Sequence, residues 1–593
     1  MCGIVGYIGE REALPVLISS LKRLEYRGYD SCGLALLEDE IAVFKGRGRI
    51  EKLQQNLPPS PARIGIGHTR WATHGKPSKE NAHPHLACNG RIAVVHNGVI
   101  TNFQKLKERL LAEGHTFTSE TDTEVIAHVI ESYYRGDLLD AVARALKEIS
   151  GSYAIAVISP GYDGIIVARN EIPLLIGVGE GEFIVASDVA GILEQTRRVI
   201  YLEDGDIGSI SRGAVRIFNN GLPAERREQQ VPWNIEEAQR GGYKHFMLKE
   251  IHEQPEMIDE MVKRYISATG VKFEPGLAGG TDFTDILLLA CGTSYYAALA
   301  GEHILKKLGQ IPVHAALSSE FNYSDTILRK TLAIAITQSG ETADTIKALR
   351  EAKKRGCPSL AITNVIGSSI TRVADATFYL MAGPEISVAA TKSFTAQLIA
   401  LYLLALSLGK IDPAFQKKLA DELRGLPQKV AMVLTEEEKI AKIGRYLAVC
   451  DNVFFIGRGL NLAIALEGAL KFKEICYIHA EGYPAGELLH GPLALLNPMM
   501  PVIAIVAPDG THDMTLTNIK EIKARGAPVI ALAPEDDSEI EKYTDRVIRT
   551  PQVNSLFSPV TNTIVLQLLA YYTAQERGSP IDMPRHLAKT VTV

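Results

Sequence analysis

The chain has 593 residues, of which 46% are hydrophobic and 22% charged, and its formal net charge is −6. This length exceeds what one hydrophobic core supports, so we expect about three or four domains. The mildly acidic balance argues against nucleic acid as the main partner, because phosphate binding normally requires a clustered basic surface.

Cysteine usage and hydropathy indicate the compartment. The seven cysteines are dispersed and include no C-x-x-C pair, which favours a reducing cytosol over a disulfide framework. The start lacks the basic and apolar regions of a secretory signal. The longest apolar stretch, 398–408, is too short to cross a bilayer and is typical of a buried helix. We therefore expect a soluble, cytoplasmic protein with no membrane partner.

The first ~230 residues predict a layered α+β domain. Short alternating or apolar runs between Gly, Asp and Asn turns predict strands at 41–44, 91–96, 152–158, 164–167 and 183–186. Amphipathic patterns predict helices at 103–113 and 122–134. These helices do not alternate strictly with the strands, which indicates layers rather than a parallel α/β sheet.

A different pattern follows a polar stretch at 232–254. Buried strands are predicted at 285–290, 332–337, 359–363, 452–456, 502–506 and 528–533. Helical segments of ten or more residues fill the gaps, which is typical of doubly wound parallel sheets. The block at about 280–410 is mirrored at about 445–575, so we predict two copies of one α/β unit.

The second residue is a cysteine, in MCGIVG. Removal of Met1 would leave Cys2 with a free α-amine beside its thiol, so that one residue holds a nucleophile and a base. The amine titrates near pH 8 and the thiol near 8.5, which makes proton transfer between them feasible at neutral pH. The alternative is an inert, uncleaved start, as at most chain termini.

Several groups downstream fit amide chemistry on an amino acid. The guanidinium of Arg70, in HTRWATHG after a short strand, suits a carboxylate. Asp122 suits an ammonium group, and Asn97-Gly98 at a strand end offers two N–H donors to an oxyanion. Alternatively, Asn97-Gly98 is a hairpin turn and Asp122 a helix N-cap.

The histidines of this region raise the question of a metal. They are His68, His74, His83, His85 and His96. They show neither H-E-x-x-H nor a paired Cys/His spacing. We therefore expect no metal at these residues and no cofactor in the protein.

In the second half, two strands lead into hydroxyl-rich loops, CGTS at 291–294 and QSGET at 338–342. Strand carboxyl ends followed by helix amino ends bind phosphate. No Walker loop occurs, so a sugar phosphate is favoured over ATP. The alternative is that these hydroxyls are ordinary helix N-caps.

Glu467, Lys471 and Glu474 fall at i, i+4 and i+7 of a predicted helix, so they share one face. The flanking residues are apolar, which favours a cleft over a surface ladder of ion pairs. Near the chain end, PRHLAKTVTV at 584–593 contains Lys589, although a tail lysine is usually solvated.

Together, CGIVG, EYRGYDS at 25–31, HTRWATHG and HNGVI at 96–100 resemble the class II glutamine amidotransferases, which are N-terminal-nucleophile hydrolases. EYRGYDS with HTRWATHG is similar, within that class, to the glutamine–fructose-6-phosphate aminotransferase family. The resemblance covers essentially the whole chain. It implies a layered αββα hydrolase domain followed by two sugar isomerase (SIS) domains. The expected bounds are 1–230, a linker at 231–254, SIS domains at 255–425 and 426–580, and a tail at 581–593.

The resemblance implies conversion of L-glutamine and fructose 6-phosphate to glutamate and glucosamine 6-phosphate, the first step of amino-sugar biosynthesis. Cys2 would form a γ-glutamyl thioester and release ammonia, with Asn97 and Gly98 as the oxyanion hole. Trp71 would gate ammonia passage, and Arg27 would order the N-terminus. The glutamine pocket would be lined by Arg70, Trp71, Thr73, His74, Gly98 and Asp122.

For the sugar site, the resemblance implies that Glu474 moves a proton between C1 and C2, Lys471 donates a proton near the C2 oxygen, and Glu467 supports them. His490 would open the sugar ring from a neighbouring subunit, which implies a homodimer. Lys589 would form a Schiff base with the keto carbon. The sugar phosphate would be bound by Thr293, Ser294, Thr337, Gln338, Ser339, Thr342, Val388 and Lys589.

Two residues depart from the family pattern. Thr337 and Ala390 stand where serine is usual, and Ala390 removes a hydroxyl that Ser387 could replace. The rival enzymes are a phosphoribosyl-pyrophosphate amidotransferase and an asparagine synthetase. Neither is favoured, because the chain has no S-G-G-x-D loop and has SIS-like units instead of a phosphoribosyl domain. A catalytically silent phosphosugar sensor is the rival from another class.

Overall fold

The computed structural model describes residues 2–71, 74–231, 240–267, 270–271, 283–324, 328–409 and 411–591. The chain divides into two compact units, Met1–Gln239 with Ala588–Val593, and Arg240–Leu587. Part of the predicted linker, 232–239, lies outside the described residues, and Phe246–His252 within it is helical.

The first unit contains two antiparallel sheets. Its strands are β1 Gly3–Ile8, β2 Ser31–Leu37, β3 Ile41–Arg47, β4 Ile64–Arg70, β5 His85–Leu86, β6 Ala93–Ile100, β7 Gly151–Ile158, β8 Gly164–Asn170, β9 Leu175–Val178, β10 Phe183–Ala186, β11 Arg198–Tyr201, β12 Asp206–Ser211, β13 Ala214–Asn219, β14 Leu222–Pro223 and β15 Glu228–Gln230. Its helices are α1 Ala13–Leu24, α2 Ile50–Gln54, α3 Phe103–Ala112, α4 Thr123–Tyr133 and α5 Leu138–Glu148. The eight-stranded sheet has the order β15-β11-β9-β10-β1-β4-β2-β3, and the seven-stranded sheet β14-β13-β12-β8-β7-β6-β5. The predicted strands and helices of this region are confirmed, 183–186 with its predicted bounds and the others with shifts of up to four residues at an end.

The two sheets pack face to face, and helices cover their outer faces. Ile4 of β1 and Val95 of β6 belong to one apolar cluster between the sheets. On the other side of the seven-stranded sheet, Val94 packs with residues of α3, α4 and α5. Helix α1 lies on β1 and β4, where Leu17 approaches Gly65 so closely that a Cβ there would be 2.8 Å from its methyl group. The layers therefore run helix, sheet, sheet, helix.

The second unit is an α/β structure with two parallel sheets. Its helices are α6 Phe246–His252, α7 Gln254–Tyr265, α8 Gly292–Ile304, α9 Ser318–Phe321, α10 Ala343–Lys354, α11 Ser369–Val373, α12 Lys392–Leu408, α13 Pro413–Thr435, α14 Glu437–Leu447, α15 Leu460–Lys471, α16 His512–Lys523 and α17 Ser558–Glu576. Its strands are β16 Ile266–Ser267, β17 Gly270–Val271, β18 Asp285–Ala290, β19 Val313–Leu317, β20 Thr331–Thr337, β21 Ser359–Thr363, β22 Ala376–Tyr379, β23 Asn452–Gly457, β24 His479–Pro484, β25 Val502–Ile505, β26 Val529–Pro534 and β27 Arg546–Thr550.

The predicted repeat is confirmed by the topology. The five-stranded sheets have the orders β19-β18-β20-β21-β22 and β24-β23-β25-β26-β27, which are the same order of parallel strands. In each copy the helix after the first strand ends in a π-helical turn, Leu305–Gly309 and Phe472–Cys476. Each turn is followed by a left-handed residue, Gln310 and Tyr477.

The second unit is built around long apolar helices. Helix α12 is buried along nearly its whole length, which confirms the predicted buried helix at 398–408. No helix in the described parts of the chain combines the length and the hydropathy that a membrane span requires.

Candidate active sites

Cys2 lies directly before β1, beside the end of β4. Its Sγ accepts a hydrogen bond from Trp71 N at 3.2 Å and lies 3.5 Å from Trp71 O. Its carbonyl oxygen accepts from Asn97 Nδ2 at 2.9 Å and from Arg27 Nε at 3.3 Å. Burial raises the pKa of the Cys2 thiol, and the charges of Arg70 and Arg27 oppose this increase only in part. The thiol therefore needs a nearby base to become a nucleophile.

Asn97 and Gly98 lie inside β6 and pair with Ala154 and Tyr153 of β7. The prediction that they end a strand is wrong, and so is the alternative of a hairpin turn. Gly98 has φ +129°, and a Cβ there would be 2.0 Å from the carbonyl oxygen of Ser152. Only glycine fits this position, and the local distortion brings the side chain of Asn97 to Cys2 without ending the strand.

His68 orients the side-chain amide of Asn97. Its Nε2 lies 3.0 Å from both Asn97 Oδ1 and the His96 carbonyl. Both are acceptors, so Nε2 carries the proton. Burial lowers the pKa of His68 to about 3, which keeps the ring neutral at physiological pH. The amide nitrogen of Asn97 is thereby directed toward Cys2.

Arg70 is the last residue of β4. The prediction that HTRWATHG follows a strand is therefore wrong for HTR, which belongs to the strand itself. Its guanidinium is buried, and Nη2 donates to the carbonyls of His74 and Gly75. Nη1 is buried and, within the described part of the chain, has no hydrogen-bond partner. Burial lowers the pKa of Arg70, and the charges of Cys2, Asp30 and Asp122 oppose this. This cation with a spare donor is suited to an anionic ligand.

Asp122 occupies the N-cap position of α4, but its side chain does not cap the helix. Oδ2 accepts from Ile100 N at 2.9 Å instead, so the N-cap alternative is wrong for the side chain. Arg27 is buried and pairs with Asp188 at 2.6 Å while it contacts the Cys2 carbonyl. Thr73 lies outside the described residues.

In the second unit, Glu467, Lys471 and Glu474 form one cluster. Lys471 Nζ lies 3.3 Å from Glu467 Oε1 and 2.5 Å from Glu474 Oε2. It also donates to Thr293 Oγ1 at 3.2 Å, and that hydroxyl donates to Glu467 at 3.3 Å. Because Thr293 lies on α8 of the first repeat, the cluster lies where the two repeats meet.

The cluster is not a surface ladder, since Glu467 and Lys471 are 2% and 1% exposed. Burial raises the pKa of Glu467 to about 7, against the opposing charge of Lys471. Burial would lower the pKa of Lys471, but the two carboxylates outweigh it and the pKa is raised. Glu474 lies in the π turn, where its side chain is 20% exposed. One buried carboxyl that titrates near neutrality and one accessible carboxyl suit proton transfer.

The hydroxyl-rich segments follow β18 and β20 as predicted, but Thr293 and Ser294 lie in the first turn of α8 and not in a loop. Ser294 Oγ accepts from Gln397 Nε2 at 2.9 Å. Thr337 and Thr342 hydroxyls lie 3.1 Å apart, and Ser339 Oγ accepts from Glu341 N. Thr342 is the N-cap residue of α10 but makes no side-chain cap bond, so the N-cap alternative fails there.

The loop that contains Ala390 is held by a residue that sequence reasoning missed. Glu385 is buried and accepts from Thr391 N at 2.9 Å, and from Ser393 N and Oγ at 3.0 and 2.7 Å. Val388, a predicted sugar ligand, is buried beside Ala390. The backbone shape of this loop therefore does not depend on a hydroxyl at 390.

Two further predicted residues, His490 and Lys589, have surroundings of their own. His490 is exposed at the end of a short 3-10 helix, Glu487–His490. Lys589 belongs to the tail that groups with the first unit. The segment before it, with Arg585 and His586, lines a cavity of about 330 Å³ together with Glu474.

Comparison with known proteins identifies the family. Residues 68–194 match the glutamine amidotransferase domain, and residues 282–407 and 446–577 each match the SIS domain. The chain is 48% identical to the glutamine–fructose-6-phosphate aminotransferases (isomerizing) of Methanosarcina mazei, over 617 residues, and Symbiobacterium thermophilum, over 608, with 100% of each chain covered. The chain belongs to the glutamine–fructose-6-phosphate aminotransferase family. The C-terminal domain of glucosamine-fructose-6-phosphate aminotransferase from Francisella tularensis matches with 38% identity and a TM-score of 0.56, over 58% of this chain and 100% of that chain.

Proposed function

We propose that this protein converts L-glutamine and fructose 6-phosphate to L-glutamate and glucosamine 6-phosphate in the cytoplasm. The observation that carries the proposal is a buried acid–base cluster, Glu467, Lys471 and Glu474, in a chain that also holds Cys2 beside Asn97. A silent sugar sensor has no need of a buried carboxyl that titrates near pH 7.

For the glutaminase half, we propose an N-terminal-nucleophile hydrolase. After Met1 is removed, the α-amine of Cys2 takes the thiol proton, because burial alone disfavours the thiolate. The sulfur attacks the glutamine amide carbon, and Asn97 Nδ2 with Gly98 N stabilises the oxyanion. Ammonia leaves as the γ-glutamyl thioester forms, and water then releases glutamate.

The glutamine pocket follows from the charges around Cys2. The spare Nη1 of Arg70 would bind the α-carboxylate, and Asp122 the α-ammonium. His74 would also line the pocket, and so would Thr73, which is proposed from the family resemblance alone. Trp71, whose ring packs edge-on against Tyr29, would gate the ammonia.

For the sugar half, the segments with Thr293, Ser294, Thr337, Gln338, Ser339, Thr342 and Val388 bind the phosphosugar. Lys589 forms a Schiff base with the C2 carbonyl as water leaves, and ammonia from glutamine then displaces the lysine amine at C2. Glu474 moves a proton between C1 and C2. Lys471 donates near the C2 oxygen and Glu467 supports it. The exposed His490 would open the ring in a neighbouring subunit, so we propose a homodimer.

An assay of glutamine plus fructose 6-phosphate for hexosamine phosphate tests the proposal. Cys2→Ala should abolish glutamine-dependent synthesis, while conversion of fructose 6-phosphate to glucose 6-phosphate continues. Cys357→Ala, which changes a buried cysteine beside β21, is the control and should retain both activities. If the wild type releases glutamate but forms no amino sugar, the sugar half of the proposal fails. Loss of isomerisation in Cys2→Ala would contradict separate sites.

A further inference from the structure

Four potential metal ligands meet in the first unit, outside the Cys2 pocket. Cys88 lies in the hairpin between β5 and β6, His115 follows α3, and His128 and Glu131 lie one turn apart on α4. One ligand atom from each of these residues lies within 4.8 Å of all the others. The histidines considered for a metal from the sequence are not members of this group.

Four of the six distances between these ligand atoms have the length expected at a tetrahedral metal site. Sγ of Cys88 lies 3.6 Å from Nδ1 of His115 and 3.5 Å from Nδ1 of His128. Oε2 of Glu131 lies 3.2 and 3.6 Å from the same two nitrogens. A tetrahedron with zinc–ligand bonds of about 2.0–2.3 Å has edges of roughly 3.3–3.7 Å. These four distances, with all four atoms within 4.8 Å of one another, are compatible with one ion bound among them.

We propose that Cys88, His115, His128 and Glu131 bind one zinc ion. A thiolate with two imidazoles and one carboxylate favours zinc over magnesium or calcium, which prefer oxygen ligands. Four protein ligands leave no open position for water, so the ion is structural and not catalytic.

The surroundings orient these ligands as outer-shell groups do at metal sites. Glu131 accepts hydrogen bonds from Cys88 N at 3.1 Å and Asn89 N at 2.9 Å. Cys88 Sγ accepts from Thr116 N at 3.3 Å. The ring of His128 is buried, and its Nε2 faces Glu124 Oε1 at 3.8 Å, with no hydrogen-bond partner in the described residues. A carboxylate behind the distal nitrogen is the usual arrangement for a histidine ligand.

The ion would connect three segments of the domain. It would tie the β5–β6 hairpin and the segment after α3 to α4, and α4 begins one residue after Asp122. Cys88 is solvent-exposed, which provides a route for the ion to enter. Loss of zinc should therefore weaken the attachment of α4 to the β5–β6 hairpin and to the segment after α3. It removes no group from the Cys2 pocket.

Metal analysis of the full-length protein, expressed with added zinc and then dialysed, tests the proposal. We expect about one zinc per chain. Cys88→Ser and His128→Gln should each reduce zinc to background. Cys357→Ser and His314→Gln, which change a buried cysteine and an exposed histidine of the second unit, should keep it.

Two measurements on the wild type do not depend on how the variants fold. Cobalt(II) added to the zinc-free protein should give a thiolate-to-cobalt charge-transfer band and the strong visible bands of tetrahedral cobalt. Zinc should also slow the alkylation of Cys88 by iodoacetamide, measured by mass spectrometry of the peptide that contains Cys88. A wild-type protein with no zinc above buffer and no cobalt–thiolate band would show a metal-free hydrogen-bonded cluster and overturn the proposal. Full zinc retention in both ligand variants would overturn it equally.

Discussion

His68 should control glutaminase turnover through Asn97, although it does not touch Cys2 itself. His68→Leu removes the N–H that lies 3.0 Å from Asn97 Oδ1. Within the described residues, the amide then keeps only the bond from its Nδ2 to the Cys2 carbonyl, at 2.9 Å, so rotation that turns its oxygen toward the developing oxyanion becomes easier. One neutral hydrogen bond contributes about 0.5–1.5 kcal/mol, which corresponds to a fall of roughly 2- to 13-fold in kcat. Asn97→Ala removes the donor itself and should cost roughly 10²–10³-fold.

Glutamate release with saturating glutamine measures these effects. His68→Gln, which keeps an N–H donor, should recover most of the rate, and the pH profile should not change because His68 stays neutral. His85→Gln is the matched control, since this buried histidine bonds Thr121 instead. The decisive variant is the double mutant, in which His68→Leu should add nothing to Asn97→Ala. If His68→Leu lowers kcat by the same factor in the Asn97→Ala protein as in the wild type, the role of His68 through Asn97 is refuted.

Two predictions concern the buried cluster of the second unit. Burial raises the pKa of Glu467 in the folded protein to about 7, from an ordinary value of 4.5. The folded state therefore holds this proton more tightly than the unfolded state does. The resulting stabilisation is complete below pH 4.5 and is lost as pH rises through about 7. Urea unfolding should therefore show a smaller loss of stability between about pH 5 and 8 in Glu467→Gln than in the wild type. An identical pH slope would contradict this. The double variant Glu467→Ala, Lys471→Ile should abolish sugar isomerisation yet keep or raise the urea midpoint, because well-packed apolar groups often match a buried ion pair. Retained isomerisation would refute the assignment of the cluster.

The fold was predictable where burial imposes a simple pattern. Strand β18 was predicted with its observed bounds because a parallel strand covered on both faces is a continuous apolar run. Strands β14 and β15 are exposed and have no such pattern, so they were missed. The π turn after α15 was missed as well, because its residues continue the helical periodicity of the sequence.

The candidate sites were predictable in their residues but not in their contacts. Arg70, Asp122 and Lys471 were chosen from motif and spacing, and the structure finds them largely buried. The bond of His68 to Asn97 depends on how β4 and β6 lie in facing sheets, which no local pattern encodes. Glu385 was missed because its hydrogen bonds to Thr391 and Ser393 form within an irregular loop, where no helical or strand periodicity indicates which residues meet. Short-range patterns thus identify candidate groups, whereas tertiary packing decides which of them cooperate.

A comparison of the two SIS repeats supports the proposed functional role of the acid–base cluster. Counted back from the left-handed residues Tyr477 and Gln310, the positions of Lys471 and Glu467 correspond to Ile304 and Ala300. Both are fully buried apolar residues, so the fold is satisfied there without charge. The second repeat buries one carboxylate and one lysine, Glu467 and Lys471, at core positions that the first repeat fills with apolar side chains. A free-energy cost of burying charge in only one of two repeats is expected where a reaction requires the charged groups. Because the first repeat folds with alanine and isoleucine at these positions, the variant with Glu467→Ala and Lys471→Ile should still fold.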